Sequence, residues 1–368
     1  MGNTQNELVR IAKRENNAKR SYLVVNPLQA KHVPVSPATA IGLFEKLAEK
    51  VKEKYSGQKL LVIGFAETAT AIGAQVAISL DAFYMQTTRE MIPGVEYLFF
   101  SEEHSHATEQ KLVRCDVERA LAQTPRILFV EDEVTTGNTI RNIITLLRRE
   151  FSEELVFSVA SILNAVEGEH LAWYREQEID FFYLQKTDHS AYEKKAAAVK
   201  GDGAYFAPET INGEIKVQYR IGGALNARRL TDGGAYRLAC ERLYEQVSQN
   251  LGKIQNQRIL VIGTEETMYP AIYVGKRLEE LGNIVRTHST TRSPICVDNA
   301  SEYPLHERYE LRSLYDDERR TFLYNIESYQ MVLIVTDASP VCETGLATLI
   351  SALRKKNEDI RLVRWCCE

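Results

Sequence analysis

Short runs of apolar residues alternate along the chain with longer stretches of helical periodicity. Residues 60–64 and 259–263 are rich in β-branched side chains and end on glycine, which is typical of buried parallel strands. Residues 127–130 form a third apolar run, which acidic residues follow directly. Residues 139–149, further along the chain, have the pattern of an amphipathic helix. The alternation predicts an α/β fold in which parallel-rich sheets are flanked by helices.

The same landmarks occur twice along the chain. Glu67-Thr68 after the first strand recurs as Glu266-Thr267, and Thr87-Thr88-Arg89 recurs as Thr290-Thr291-Arg292. Asp132, which follows an apolar strand and precedes an amphipathic helix, recurs as Asp337 in the same setting. Because the landmarks keep their order and nearly constant offsets, we infer a duplicated α/β domain rather than coincidence.

A glycine-rich segment separates the two copies. Residues 200–236 contain seven glycines, a composition typical of loops and of a domain junction. We therefore predict a first domain over residues 1–225 and a second domain over residues 226–368. The basic residues near the N-terminus are interrupted by acidic ones, which favours a solvated helix over a targeting signal.

Composition excludes several classes of protein. The 368 residues are 44% hydrophobic and 26% charged with a net charge of -5, as in ordinary globular proteins. The net acidity argues against general nucleic-acid binding, and the longest apolar runs are too short to span a membrane. Six scattered cysteines without metal-type spacing indicate reduced thiols, so we expect a cytoplasmic protein.

The loop after residues 127–130 combines two kinds of chemistry. Glu131 and Asp132 lie at the strand end, where parallel sheets bind ligands. The turn that follows consists of Thr135, Thr136, Gly137, Asn138 and Thr139. A hydroxyl-rich turn entering a helix favours phosphate, whereas carboxylates accept hydrogen bonds from a diol. Ribose 5-phosphate satisfies both halves of the loop, while an ordinary capped helix would explain only the turn.

These residues resemble the phosphoribosyl diphosphate (PRPP) loop of type I phosphoribosyltransferases. The resemblance implies a catalytic role for Glu131, Asp132 and Arg89, and a Mg²⁺ cofactor that the two acids hold indirectly, through PRPP and water. It also places the pyrophosphate loop after the first strand. That loop would comprise Ala66, Glu67, Thr68 and Ala69.

The wider sequence resembles a two-domain bacterial family of phosphoribosyltransferases associated with tellurite-resistance and stress gene clusters. Residues 25–37, 86–89 and 103–107 resemble its first domain, and Thr290-Thr291-Arg292-Ser293-Pro294 resembles the T-R-S-P motif that names its second domain. By this resemblance both domains are type I phosphoribosyltransferase-like. The second is degenerate, because Pro340-Val341-Cys342-Glu343 replaces the phosphate-binding turn.

Three segments keep alternative interpretations. Glu103, His104 and His106 could belong to a mobile lid over pyrophosphate or, less simply, to a metal site. Lys31 and His32 are candidates for a hood over the acceptor, or for an exposed proline-rich loop. The T-R-S-P motif could bind a second ligand, contact another domain, or form a structural turn.

Three functions follow from these observations. The first is a Mg²⁺-dependent phosphoribosyltransferase of nucleotide metabolism that joins PRPP to a nitrogen of a base-like acceptor and releases pyrophosphate. The second is a non-catalytic sensor of PRPP or a nucleotide, and the third is a partner-binding protein. The acceptor and the oligomeric state stay open at this stage, a homodimer being one option.

Overall fold

The structure is a computed structural model that describes residues 7–15, 17, 20–101, 109–210, 215 and 217–367. In chain order its elements are β1 (Arg10–Lys13), β2 (Tyr22–Val25), α1 (Pro37–Tyr55), β3 (Leu61–Gly64), α2 (Thr70–Leu80), β4 (Phe83–Gln86), β5 (Tyr97–Ser101), β6 (Glu109–Val113), α3 (Arg114–Leu121), β7 (Arg126–Val134), α4 (Asn138–Glu150), β8 (Val156–Asn164), α5 (Gly168–Glu176), β9 (Asp180–Lys186), α6 (Tyr192–Ala197), β10 (Ala204–Phe206), β11 (Val217–Ile221), β12 (Thr231–Asp232), α7 (Gly233–Leu251), β13 (Arg258–Gly263), α8 (Tyr269–Glu280), β14 (Ile284–Ser289), β15 (Glu307–Arg312), β16 (Arg320–Tyr324), β17 (Met331–Thr336), α9 (Glu343–Arg354) and β18 (Ile360–Trp365). Among the helices of these described ranges, none is both long and apolar enough to cross a membrane.

The chain divides into two compact units, each discontinuous in sequence. Unit I comprises Gly42–Asp188 and Leu225–Leu238, and unit II comprises Met1–Ile41, His189–Ala224 and Ala239–Glu368. These units differ from the contiguous domains 1–225 and 226–368 that the glycine-rich segment suggested. The difference arises because the N-terminal strands pack into the core of unit II.

Unit I is built on a six-stranded sheet in the order β12-β4-β3-β7-β8-β9. All neighbouring strands are parallel except β12, which runs antiparallel to β4. The apolar residues of the central strands, 61–63 of β3 and 127–130 of β7, are fully buried, and Phe129 of β7 stacks on Phe157 of β8 with 5.8 Å between ring centroids. This core holds the carboxyl ends of β3, β4 and β7 side by side.

Unit II contains a five-stranded parallel sheet in the order β11-β18-β17-β13-β14. A three-stranded sheet, β10-β15-β16, and the β1–β2 ribbon accompany it. One core cluster of this unit joins Ala12 and Val25 of the ribbon to Ile295, Phe322 and Tyr324. The N-terminal ribbon is therefore an integral part of the fold of unit II.

The two sheets repeat the same arrangement, which confirms the duplication. Unit I has β4-β3-β7-β8-β9 where unit II has β14-β13-β17-β18-β11. The hairpin β5–β6 follows β4, and the hairpin β15–β16 follows β14. The fifth position differs, because β9 follows β8 along the chain whereas β11 precedes β13. The second copy therefore recruits its outer strand from the segment that links the two copies.

Two local predictions need correction. The N-terminal residues form the strand Arg10–Lys13, not a solvated helix, because Ala12 is fully buried in the unit II core. The segment 200–236 also holds three strands and the start of α7, so it is more than a loop. The helix predicted at residues 139–149 is confirmed as Asn138–Glu150, and the helix predicted after Asp337 is confirmed as Glu343–Arg354.

Candidate functional site

Strand β7 is longer than the sequence pattern indicated, and it includes the acidic residues Glu131 and Asp132. The strand continues beyond residue 130 through Glu131 and Asp132 to Val134, and Glu131 pairs with Ser161 of β8. Both acids are partly exposed, whereas the apolar residues before them are fully buried. The carboxylates therefore emerge at the carboxyl end of the sheet, where ligands of parallel sheets bind.

The turn behind β7 leads directly into the first residue of α4. Gly137 is the N-cap of α4 with φ of 77°, a conformation that glycine adopts without steric cost, and as a glycine it has no side chain of its own to cap the helix. Asn138 N–H donates a hydrogen bond of 3.3 Å to Thr136 Oγ1. A helix N-terminus without a side-chain cap has backbone N–H groups and a dipole suited to an anion.

Tyr174 of α5 fixes the position of this turn, a role that no pattern in the sequence indicated. Its hydroxyl donates a hydrogen bond of 2.6 Å to the carbonyl oxygen of Gly137, and the side chain is 1% exposed. Burial raises the pKa of Tyr174, so the hydroxyl stays a donor at neutral pH. Beside it, Arg141 of α4 stacks on the Trp173 ring at 4.7 Å from the centroid.

The predicted pyrophosphate loop lies between β3 and α2, beside the end of β4. Ala66 N–H donates to Thr87 Oγ1 at 2.8 Å, and the Gln110 amide donates to the Ala66 carbonyl. Ala69 N–H closes the turn by donating to the Phe65 carbonyl at 3.0 Å. Glu67 and Ala69 are buried, whereas Thr68 is partly exposed. The side chains of Thr87, which directly follows β4, and of Gln110 in β6 thus hold this loop in a defined shape.

Two cationic residues lie beside each other near the end of β4, one after that strand and one in β6. Arg89 is partly exposed, and Lys111 of β6 is 7% exposed with its ammonium donating to the Arg89 carbonyl at 3.2 Å. Reciprocal backbone hydrogen bonds tie Lys111 to Thr88 at 3.0 and 3.2 Å. Sequence reasoning found Arg89 through its recurrence but missed Lys111, which only the β5–β6 hairpin brings alongside.

The candidate lid residues come between β5 and β6 in the sequence. Glu103, His104 and His106 fall outside the described residues. The strands on either side pair in antiparallel register, with Tyr97 opposite Val113 and Phe100 opposite Gln110. The lid interpretation therefore stays a prediction.

Lys31 and His32 are buried within unit II, at 0% and 2% exposure. The Lys31 ammonium donates to the carbonyl oxygens of Glu265 at 3.2 Å and Thr290 at 3.1 Å. The His32 ring meets the Tyr324 ring edge-on at 6.5 Å. The alternative of an exposed proline-rich loop is wrong, because both side chains belong to this packed interior. Their role as a hood over the acceptor stays a prediction.

The T-R-S-P motif follows β14 and is hydrogen-bonded to neighbouring segments of unit II. Thr290 Oγ1 accepts a hydrogen bond of 3.0 Å from Glu265 N–H, and Thr291 exchanges backbone hydrogen bonds with Phe322 at 2.9 and 2.7 Å. Arg292 Nε donates to a Glu265 carboxylate oxygen at 2.6 Å. Each of these contacts joins the end of β14 to a neighbouring loop or strand.

The last two residues of the motif also make local contacts. Ser293 N–H donates to Thr291 Oγ1 at 3.2 Å, and the Pro294 carbonyl accepts from Glu15 N–H at 3.0 Å. These bonds support the structural-turn interpretation for the backbone of the motif.

Comparison with protein families finds matches to two segments of the chain. Residues 8–183 match the family model described as phosphoribosyl transferase, and residues 232–353 match the TRSP domain that occurs C-terminal to it. The phosphoribosyl transferase model and the TRSP model thus match successive segments of this chain. The family expected from the PRPP-loop residues and the T-R-S-P motif is thereby confirmed for these segments. A search of curated proteins found no match.

Solved structures similar to the phosphoribosyl transferase domain include three adenine phosphoribosyltransferases. The enzyme from Rhodothermus marinus is 17% identical, with a TM-score of 0.35, over 50% of this chain and 97% of that one. The Giardia lamblia enzyme is 16% identical, with a TM-score of 0.32, over 50% and 95%. The Trypanosoma brucei enzyme, in complex with AMP, pyrophosphate and ribose-5-phosphate, is 11% identical, with a TM-score of 0.34, over 49% and 76%.

Proposed function

We propose that unit I transfers the ribose 5-phosphate of PRPP to a ring nitrogen of a base-like acceptor. The bond between C1 of the ribose and the diphosphate oxygen breaks, and its electron pair leaves with pyrophosphate. The nitrogen lone pair forms the new bond to C1, and the proton displaced from that nitrogen passes to solvent or to a nearby base. The observation that supports this most is the Glu131-Asp132 strand end running into a helix N-terminus that Gly137 leaves without a side-chain cap.

In this proposal each end of the loop binds one end of the sugar phosphate. Backbone N–H groups of α4 and the hydroxyls of Thr135, Thr136 and Thr139 hold the 5-phosphate. Glu131 and Asp132 accept hydrogen bonds from the ribose 2- and 3-hydroxyls. Positive charge that develops at C1 in the transition state is then stabilised by the same carboxylates more than in the ground state.

The leaving diphosphate needs donors and positive charge. The backbone of residues 66–69 lies next to β4, whose end leads to Arg89, and guanidinium is well matched to phosphate oxygens. Lys111 adds a second cationic side chain, attached to the Arg89 backbone at 3.2 Å. We infer that these groups bind pyrophosphate as its charge increases, which lowers the barrier for breaking the bond to C1.

The acids at the strand end also fit a hard divalent cation. Their carboxylate oxygens are the donors that Mg²⁺ prefers, and the described residues include no cluster of three or more His, Cys, Asp or Glu that could bind a metal alone. We therefore propose that Glu131 and Asp132 hold Mg²⁺ through water and PRPP. Bound there, the ion would supply charge neutralisation for the diphosphate.

The test is pyrophosphate release from PRPP and Mg²⁺ in the presence of purine, pyrimidine and pteridine bases. We expect release to require one class of base, and Asp132→Asn to lower kcat/KM at least tenfold for every acceptor. The exposed Asp317→Asn on unit II is the matched control and should leave kcat/KM unchanged. Tight PRPP binding without turnover on any base would overturn the transferase proposal and indicate the sensor.

A further inference from the structure

Unit II has its own crevice at the carboxyl ends of two adjacent parallel strands, β13 and β17. Leu349 of α9 packs in one core cluster with Leu260 and Ile262 of β13. A Cβ placed on Gly275 of α8 would lie 3.6 Å from the side chain of Val261, the residue between those two. Successive residues of a strand point to opposite faces, so α8 and α9 cover opposite faces of the sheet. The loops after β13 and β17 therefore diverge, which is where open parallel sheets bind ligands.

Hydroxyl groups and the Asp337 carboxylate form a hydrogen-bonded cluster at the ends of these two strands. Thr264 Oγ1 donates to Thr336 Oγ1 at 2.8 Å and lies 2.8 Å from the hydroxyl of Tyr315. The Tyr315 hydroxyl donates to Asp337 Oδ1 at 2.6 Å, and Thr267 donates to the same oxygen. Tyr315 and Asp337 are partly exposed. The crevice mouth is thus a hydrogen-bonded set of hydroxyls centred on a carboxylate.

The arginines nearby are already engaged by a buried glutamate. The Glu265 side chain is 1% exposed, and one carboxylate oxygen accepts from Arg292 Nε at 2.6 Å and Arg319 Nη1 at 3.0 Å. The other oxygen accepts from the Ser313 hydroxyl. Breaking one member of a buried ion pair to bind an outside anion carries a large desolvation penalty. These guanidinium groups are therefore poor receptors for a phosphate.

The N-terminus of α9 is closed to phosphate as well. Cys342 N–H donates to the Leu314 carbonyl at 2.9 Å, and Cys342 Sγ accepts from Gly345 N–H at 3.5 Å. A Cβ on Gly345 would lie 2.0 Å from the Ser313 carbonyl oxygen, so the β15–β16 loop lies directly against the helix end. Glu343 adds a negative charge in the first turn. In unit I the corresponding helix α4 has no side-chain cap at this position.

We propose that this crevice of the TRSP domain binds a pentose that carries no phosphate, either as free ribose or within a nucleoside. Hydroxyl ligands can exchange with the hydroxyls of Thr267 and Tyr315, because each is both donor and acceptor. The two oxygens of the Asp337 carboxylate accept hydrogen bonds from the hydroxyls of a vicinal diol. A 5-phosphate is excluded by the covered end of α9 and by Glu343. The inference is independent of whether unit I turns over PRPP.

The experiment uses the full chain carrying Thr136→Glu, which is designed to disable the PRPP loop of unit I. Ribose, adenosine, uridine and adenosine 5′-monophosphate are titrated by calorimetry and by ligand-observed NMR. We expect saturable binding of ribose or a nucleoside, and at least tenfold weaker binding of the monophosphate. Equal affinity for ribose and nucleosides identifies a free pentose as the ligand, whereas at least tenfold tighter nucleoside binding assigns part of the site to the base.

Two further variants assign the binding to this crevice. Asp337→Asn and Thr267→Val, each added to the Thr136→Glu chain, should weaken ribose or nucleoside binding at least tenfold, whereas Asp317→Asn should not. Circular dichroism and Tm check that each variant is folded. If one of the two variants does not fold, the other one provides the test. Absence of saturable binding, equal binding of the monophosphate, or binding that survives both substitutions would overturn the proposal.

Discussion

The hydroxyl of Tyr174 donates a hydrogen bond of 2.6 Å to the carbonyl oxygen of Gly137, and the ring lies directly against the glycine. The contact joins α5 to the turn that enters α4, although 37 residues separate the two along the chain. It restrains the backbone whose N–H groups would meet a phosphate. A defined loop binds more tightly because less conformational entropy is lost on binding.

The glycine in this contact is open to a direct test. In Gly137→Ala the new Cβ would lie 2.6 Å from the Tyr174 hydroxyl at a φ of +77°, so both the ring and the turn must move. We expect PRPP affinity to fall at least tenfold by calorimetry. The matched control is Gly94→Ala, at φ of +75° with nothing within 4 Å of its Cβ, which carries the backbone strain alone. Equal losses in both variants would contradict a role for the Tyr174 contact.

We expect unit I to bind PRPP and unit II not to bind it. Unit II places Cys342 where unit I has Gly137, and a carboxylate of Glu343 follows it. Repulsion between like charges at about 4 Å is roughly 1 kcal/mol in water and several times larger when partly buried. Calorimetry with PRPP and Mg²⁺ should therefore find one site per chain.

Two substitutions identify which domain holds that site. Thr136→Glu should abolish PRPP binding, because it sets a negative charge in the turn, whereas Asp337→Asn should leave the dissociation constant unchanged. Two equivalent sites per chain, or loss of binding through Asp337→Asn alone, would mean that the binding half has been assigned wrongly.

His288 of β14 makes the stability of unit II depend on pH. Burial lowers the pKa of His288 to about 4, and its Nε2 lies 2.8 Å from the Tyr324 carbonyl oxygen. The unfolded chain takes up a proton near pH 6.5. Stability is therefore complete above about pH 6.5 and is lost as pH falls toward 4, by on the order of 3 kcal/mol.

Urea unfolding midpoints measured at pH 7, 6, 5 and 4 test this expectation. His288→Gln should show a shallower decline below pH 6.5, because glutamine does not titrate there. The control His170→Gln changes a partly exposed histidine in unit I and should retain the wild-type pH dependence. Parallel curves for wild type and His288→Gln would rule out His288 as the source.

Lys31 is expected to stabilise unit II. Lys31→Met removes the ammonium that donates to the carbonyls of Glu265 and Thr290, and loss of a donor to buried acceptors costs about 1–3 kcal/mol. We expect a lower Tm with an unchanged KM for the acceptor. The exposed Lys253→Met is the control and should change neither quantity. A raised acceptor KM at unchanged Tm would favour the hood interpretation instead.

Local pattern alone was sufficient for several features of this protein. The β-branched strands, the helices Asn138–Glu150 and Glu343–Arg354 and the duplication follow from apolar periodicity and recurring landmarks. The same holds for the acid pair and the glycine turn, since both ends of the loop lie within ten residues. These signals are readable because neighbouring residues in one element share one environment.

Only the tertiary structure decided which distant residues meet. The N-terminal residues form a strand because Ala12 finds an apolar core contributed by residues near Ile295 and Tyr324, which no local charge pattern reveals. Likewise, Tyr174 at Gly137 and Lys111 beside Arg89 come together through sheet pairing and helix packing. The sequence determined the elements and the chemistry of the loop, because both depend on neighbours along the chain. Long-range packing determined the partners, because burial depends on surfaces that the chain brings together only when folded.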